Sequence, residues 1–333
     1  MISFKRRLFR PGHGFFLPLA NAGLFVKRIG VYDILPFRWE TCTGVIDLHS
    51  HILPGIDDGA PDISVSLEMA RMAAAGGVTV QACTPHIVPG VYNNNGPQIR
   101  QAIADLQAAI DAEGIDLRLV TGADVHLVPD LVSGLRSGQL LTLADSRYLL
   151  VEPPHHVAPV RIVDQFFNLM IAGYQPILTH PERLTWISGQ YSIMEQLVDG
   201  GVWMQITASS LTGAFGKNPL YWAERMLDEG KVHIIATDTH DTRRRPPNLL
   251  QGFEYAAKRV GEAEATHMVV TRPAAVLANE LPSASPVPVK RVPSARPSHE
   301  KSSAPARYPR SGKSRRRSGL SGFLGRVRGF LKF

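Results

Sequence analysis

Val45-Ile46-Asp47-Leu48-His49-Ser50-His51 is a short apolar run that turns polar at its end. Alternation at period two sets His49 and His51 on one side of an extended chain, and Asp57-Asp58-Gly59 follows closely. Outward from this stretch, comparable runs recur at 78–82, 117–121, 148–151, 176–179, 202–206 and 232–236. Segments of helical periodicity separate them. Asp62 is placed to cap a helix over 63–75 that Gly76 and Gly77 stop, and Asn218-Pro219 opens one that Gly230 closes. Strands alternating with such helices predict right-handed βαβ units, a parallel α/β sheet, and closure into a seven-unit barrel.

Nearly every one of these runs is followed by an ionisable residue. The first leads into His49 and His51 and then Asp58, the second into Thr84-Pro85-His86, and the third into Gly122-Ala123-Asp124. The fourth gives Glu152, the fifth His180-Pro181-Glu182-Arg183, and the seventh Asp238-Thr239-His240. In α/β barrels the C-terminal ends of the strands build the active site. Imidazoles and carboxylates converging on one mouth point to metal, and mixed nitrogen and oxygen donors suit Mn, Fe or Zn rather than Ca. His13, His155, His233, His267 and His299 match no strand end and are read as ordinary histidines.

The charge is unevenly placed. The chain carries 36 Lys and Arg against 29 Asp and Glu, but residues 1–44 hold 7 basic and 2 acidic side chains and residues 282–333 hold 13 and 1. That leaves 16 basic and 26 acidic residues in the middle. An acidic body argues against nucleic acid as a partner and suits multivalent cations. Two cysteines, Cys42 and Cys83, are too few for a disulfide framework, so a reducing, cytoplasmic compartment is expected. The run 14–26 resembles a weak signal peptide, interrupted by Pro18 and Asn21.

Four regions follow from composition: a basic extension over 1–44, a barrel over 45–281, a Pro/Ser/Arg-rich linker over 282–319 expected to be disordered, and 320–333. In the last, Leu320, Phe323, Leu324, Val327, Phe330 and Leu331 fall at helical spacing behind Lys313, Arg315, Arg316 and Arg317. This predicts an amphipathic helix that meets an anionic membrane surface, with the chain expected to sit peripherally at the inner membrane.

The ordered series Asp47-Leu48-His49-Ser50-His51, Ile56-Asp57-Asp58-Gly59, Thr84-Pro85-His86, Gly122-Ala123-Asp124, Val151-Glu152, His180-Pro181-Glu182-Arg183 and Ala236-Thr237-Asp238-Thr239-His240 resembles that of bacterial PHP-domain tyrosine phosphatases of the CpsB/CapC/YwqE type. Ser146-Arg147-Tyr148, Gln205-Ile206-Thr207-Ala208-Ser209-Ser210-Leu211 and Arg245-Pro246-Pro247 match as well. The resemblance implies a distorted (β/α)7 PHP barrel with up to three divalent ions, manganese first among them. His49, His51, Asp124 and Asp238 would hold one; Asp58, His86 and His240 a second; Asp124, Glu152 and His180 a third. Arg183 and Arg245 would clamp phosphate, and the nucleophile would be metal-bound hydroxide. The implied substrate is phosphotyrosine on the tyrosine kinase of capsular or exopolysaccharide biosynthesis. The family starts with Met where Val45 stands, which raises the expectation that translation begins there and residues 1–44 are not translated.

The family's bridging glutamate is replaced here by Asp124, one methylene shorter. His126, on the same strand face, is a candidate to compensate. Three rivals stand beside this reading. A PHP phosphatase of a small phosphomonoester such as histidinol phosphate would use similar ligands. A binuclear amidohydrolase often needs a strand-end lysine, and Lys217, Lys231 and Lys258 follow no strand. A non-catalytic metal-binding regulator of polysaccharide export is favoured only by Asp124. A cysteine phosphatase is excluded, because that chemistry needs Arg six residues after its Cys, and Leu48 and Pro89 stand there.

Overall fold

The computed structural model describes residues 44–291. The basic extension before them, the linker from 292 onward and the candidate membrane helix at 320–333 lie outside the described residues.

The described residues contain nine strands: β1 (Val45–Asp47), β2 (Val78–Cys83), β3 (His86–Ile87), β4 (Arg118–Thr121), β5 (Asp124–His126), β6 (Tyr148–Glu152), β7 (Gln175–Thr179), β8 (Trp203–Thr207) and β9 (Ile234–Ala236). All pair in parallel, in the orders β1-β2-β4 and β3-β5-β6-β7-β8-β9. Two of the seven expected strands are each divided. β3 continues the path of β2 after Thr84-Pro85, and β5 that of β4 after Gly122-Ala123. Pro85 has no N–H to give the ladder, yet its carbonyl accepts from Asp124 N at 3.1 Å, so the staves stay in register. Gly122 permits the crossing: a Cβ there would stand 2.8 Å from Thr84 and 3.0 Å from Leu143.

Closure comes at β9 and β1. Asp238 N donates to His49 O and His51 N to Thr239 O, each at 2.9 Å, and Ser50 and Thr239 form a parallel bridge. A buried cluster containing Ile46, Val80, Val120, Leu150, Ile177, Trp203 and Ile234 takes a residue from each of the seven staves, as an enclosed interior requires. Val276 and Leu277 join it from the helix Arg272–Leu277. A second cluster lies between the strands and the surrounding helices, with Met69, Ile103, Phe166, Leu197 and Met226 among its members. The expected helix over 63–75 is Ile63–Ala75, capped by Asp62, whose carboxylate accepts from Ser64 N and Val65 N.

Packing continues past Leu281, where the sequence led us to expect a linker. Arg272, fully buried, donates from Nε to Pro286 O at 2.8 Å, and Arg291 N donates to Asp228 O at 2.9 Å. Gly230, at φ +65°, lets this segment pass: a Cβ there would meet Lys290 N at 2.8 Å. The low apolar content of 282–291 is offset by these polar anchors, which composition alone does not reveal. Among the described residues, no helix is long and apolar enough to cross a membrane.

Candidate metal centre

The strand ends bring the expected donors together at one mouth. His49 and His51 approach through their Nε2 atoms at 3.2 Å. Asp238 Oδ1 lies 3.3 Å from each of these nitrogens, and Asp124 Oδ2 lies 3.5 Å from His49 Nε2. Two ligands of a four-coordinate ion with bonds of about 2.0–2.1 Å are separated by about 3.3 Å, so this spacing is that of donors around one cation.

A second group contains His51, Asp58, His86 and His240. Asp58 Oδ1 is 3.6 Å from His86 Nε2 and 3.4 Å from His240 Nε2. A third joins His86, Asp124 and Glu152: His86 Nδ1 lies 3.5 Å from both Asp124 Oδ2 and Glu152 Oε2. A fourth joins Glu152, His155 and His180.

One further donor stands close to these groups. His155, set aside in the sequence because it follows no strand directly, reaches back from the loop after β6 to put Nε2 3.1 Å from Glu152 Oε1. The signal available for it was Glu152-Pro153-Pro154-His155, a second donor three residues after the first. The resemblance implied Asp124, Glu152 and His180 for a third ion; the close groups containing Glu152 are His86, Asp124 and Glu152 on one side and Glu152, His155 and His180 on the other. His126 stands half-buried on β5 and belongs to none of the close donor groups found among the described residues.

The donor set fits divalent cations on its own chemistry. Both carboxylate oxygens of the fully buried Asp124 lack a hydrogen-bond partner, as do His86 Nδ1, His180 Nδ1 and His240 Nε2. Buried polar groups are nearly always satisfied, and a buried carboxylate without donors is costly. Burial is the largest influence on His51 and opposes its charge, but Asp57 and Asp238 outweigh it and push the imidazole up to about 10. His240 moves the other way. Burial, reinforced by His51, lowers it to about 4, so it stands neutral with a free lone pair. The carboxylates that hold a proton on the buried His51 imidazole make its surroundings favourable to positive charge.

Supporting contacts hold the donors in place. Gln205 Oε1 lies 2.8 Å from His49 Nδ1, which leaves Nε2 to face the centre. Asp57 Oδ2 lies 2.7 Å from His51 Nδ1 and accepts from His86 N at 3.0 Å. Sequence reasoning passed over Gln205 as a supporting residue because an amide carries no charge to mark it. His180 and Asp238 both adopt left-handed backbone, at φ +33° and +51°. For residues other than glycine this costs roughly 1–2 kcal/mol each, a strain that collects at functional sites.

Arg183 and Arg245 converge on Asp238 Oδ2, the oxygen turned away from the histidines. Burial works against the charge of Asp238, but Arg245 and His49 hold the carboxyl well below its usual range. Phe215 backs both guanidiniums, with its ring centroid 4.4 Å from Arg183 Cζ and 5.8 Å from Arg245 Cζ. Beside Arg183 opens a cavity of about 560 Å³ lined by Phe215, Lys217 and Trp222 among others. The remaining expected non-ligand histidines in the described residues have structural partners. His233 Nδ1 accepts from Met204 N at 3.1 Å, and His267 Nδ1 lies 3.1 Å from Thr271 Oγ1.

Residues 45–278 match the family described as capsular polysaccharide synthesis, CpsB/CapC. The tyrosine-protein phosphatase YwqE of Bacillus subtilis is 34% identical over 248 residues, which cover 74% of this chain and 97% of the relative. The tyrosine-protein phosphatase CpsB of Streptococcus pneumoniae is 26% identical over 242 residues, 71% of this chain and all of the relative. A solved structure from work on YwqE and CpsB, there called unique metal-dependent tyrosine phosphatases, aligns with a TM-score of 0.68 at 34% identity, covering 74% of this chain and all of that one. With the family model spanning the whole barrel, the chain belongs to the CpsB/CapC family of capsular polysaccharide synthesis.

Proposed function

We propose that this chain, a metal-dependent tyrosine-protein phosphatase, removes phosphate from tyrosine on a protein of capsular or exopolysaccharide synthesis, with the tyrosine kinase of that system as the substrate the resemblance implies. One observation carries the reading. Imidazoles and carboxylates from successive strand ends meet two arginines at a single mouth, the arrangement that a phosphate monoester with several anionic oxygens requires.

Divalent cations, when bound, supply an activated water and positive charge against the phosphoryl oxygens. His49, His51, Asp58, His86, Asp124, Glu152, His180, Asp238 and His240 are the residues to hold them, with manganese first and iron or zinc as substitutes. Arg183 and Arg245 grip phosphate oxygens in the plane of a guanidinium fork. Phe215 restricts the swing of both guanidiniums and offers an apolar face to the phenyl ring. The cavity beside Arg183 has room for the peptide on one side of the phosphotyrosine. A tyrosine leaves as a phenol of pKa about 10, so its departure needs less help from an acid than that of a serine.

No thiol takes part. Cys83 is fully buried, burial pushes its thiol far up, and Pro89 stands where the arginine of a cysteine phosphatase would be. The deciding experiment measures hydrolysis of p-nitrophenyl phosphate and of a phosphotyrosyl peptide by the purified full chain with added Mn2+. Chelator abolishes both, while orthovanadate inhibits weakly and iodoacetamide has no effect. Activity that survives chelation, or that falls in step with alkylation of a cysteine, refutes the reading.

A further inference from the structure

From the arrangement around Glu152 we infer that His155 is a metal ligand in this chain, completing a third cation site with Glu152 and His180 that Asp124 does not join. The inference rests on the reading of the mouth as a metal centre and assigns one of its ions to residues of its own.

Glu152 faces two ways. Its Oε2 lies 3.5 Å from His86 Nδ1, while its Oε1 lies 3.4 Å from His180 Nε2 and 3.1 Å from His155 Nε2. The His155 and His180 rings stand 5.0 Å apart, tilted toward each other. Asp124 faces the other side, with Oδ2 3.5 Å from both His49 Nε2 and His86 Nδ1. Glu152 belongs both to the group of His86 and Asp124 and to that of His155 and His180, whereas Asp124, one methylene shorter than a glutamate, groups with His49, His51, His86 and Glu152 but not with His155 and His180. His180 is 2% exposed, so its Nε2 meets Glu152 Oε1 away from solvent.

The placement of His155 is built into the backbone. Its carbonyl accepts from Thr185 N at 3.0 Å and from Thr185 Oγ1 at 3.1 Å, and the Pro154 carbonyl accepts from Trp186 Nε1 at 2.9 Å. These bonds tie the loop after β6 to the turn that follows Arg183. His156, its neighbour, is exposed and belongs to none of the donor groups among the described residues. Two imidazoles and a carboxylate are a three-residue donor set that leaves a cation one or more open positions.

The test counts ions rather than turnover. The full chain, stripped and dialysed against Mn2+, is analysed for manganese per chain, with circular dichroism to check folding. We expect three equivalents in the wild type, two in His155→Ala and three in His126→Ala. Asp124→Glu placed on His155→Ala returns the count to three, because the longer carboxylate reaches the site that His155 left. An anomalous difference map from wild-type crystals grown in Mn2+ gives a reading that needs no variant: a peak bonded to His155 Nε2 supports the assignment, and its absence there overturns it. His155→Ala retaining the wild-type count and affinity also overturns it, as does a wild type that saturates at two. A wild type that hydrolyses phosphotyrosine yet gives either result refutes this inference alone. A wild type that binds no manganese and hydrolyses nothing refutes the phosphatase reading with it.

Discussion

Gln205 Oε1 lies 2.8 Å from Nδ1 of His49, a contact between β8 and the end of β1 that fixes which nitrogen of the imidazole faces the mouth. Groups that orient a metal-binding histidine usually contribute about 10–100-fold to metal affinity or activity. Gln205→Ala is therefore expected to shift the Mn2+ dependence of phosphatase activity to higher concentration by a factor in that range. Titration of the stripped variant with Mn2+, followed by calorimetry, checks this; an unshifted curve means that something else sets the tautomer.

Arg272 is fully buried, far from the mouth, and its guanidinium pairs with Glu264 at 2.8 Å while also donating to the carbonyls of Pro286 and His233. Removing one partner of a buried pair costs about 3–5 kcal/mol, because the other charge is left uncompensated. Arg272→Ala should thus melt roughly 10 °C lower, at about 2–4 °C per kcal/mol for a domain of this size. Activity per folded molecule stays unchanged. Arg272→Met combined with Glu264→Leu should recover most of the loss, and thermal scans of the three proteins decide it.

His233 gives a stability change with pH of known sign. Burial, reinforced by Arg272, lowers its imidazole to about 3. The unfolded chain takes up a proton near the ordinary value of about 6.5 that the folded chain refuses, so stability is complete above that pH and falls as pH drops toward 3. The slope from this one group is about 1.4 kcal/mol per pH unit. Urea melts at pH 7, 6 and 5 should show His233→Gln losing less stability on acidification than the wild type, by about that slope.

Phe215 stacks on Arg183 at 4.4 Å. Cation–π contacts of this kind contribute about 0.5–2 kcal/mol. In Phe215→Ala the KM for a phosphotyrosyl peptide is expected to rise about 2- to 30-fold, with kcat changing less. Phe215→Leu, which keeps bulk but not the ring face, should fall between the two. Steady-state kinetics on one peptide with all three proteins separates these outcomes.

Much of the barrel could be read from the chain because its signals are local. The Asp62 cap and the Gly76-Gly77 stop bracket Ile63–Ala75 without reference to anything distant, and period two alone put His49 and His51 together. The divided staves were less legible. Pro85 and Gly122 read as strand ends, as breakers usually do, and only the pairing of His86 with Asp124 shows that the ladder resumes. His155 was missed for a related reason: it lies on a loop, where no periodicity assigns a direction to a side chain. The anchoring of 282–291 depends on where Arg272 points, a tertiary fact that composition does not carry.

The barrel closes between β9 and β1 through few backbone bonds, and the same two chain segments carry His49, His51, Asp238 and His240. Any cation shared among these side chains is a clasp across the seam. Occupancy and closure are then thermodynamically linked, since a ligand that binds only the closed state stabilises it by mass action. Chelation should loosen this seam before any other part of the barrel. Amide exchange at His51 and Asp238, whose N–H groups form the seam, would quicken while that at Leu150 and Leu178, deep in paired strands, holds steady. In such an enzyme, metal scarcity in the cell would govern how long the folded protein persists as well as how fast it works.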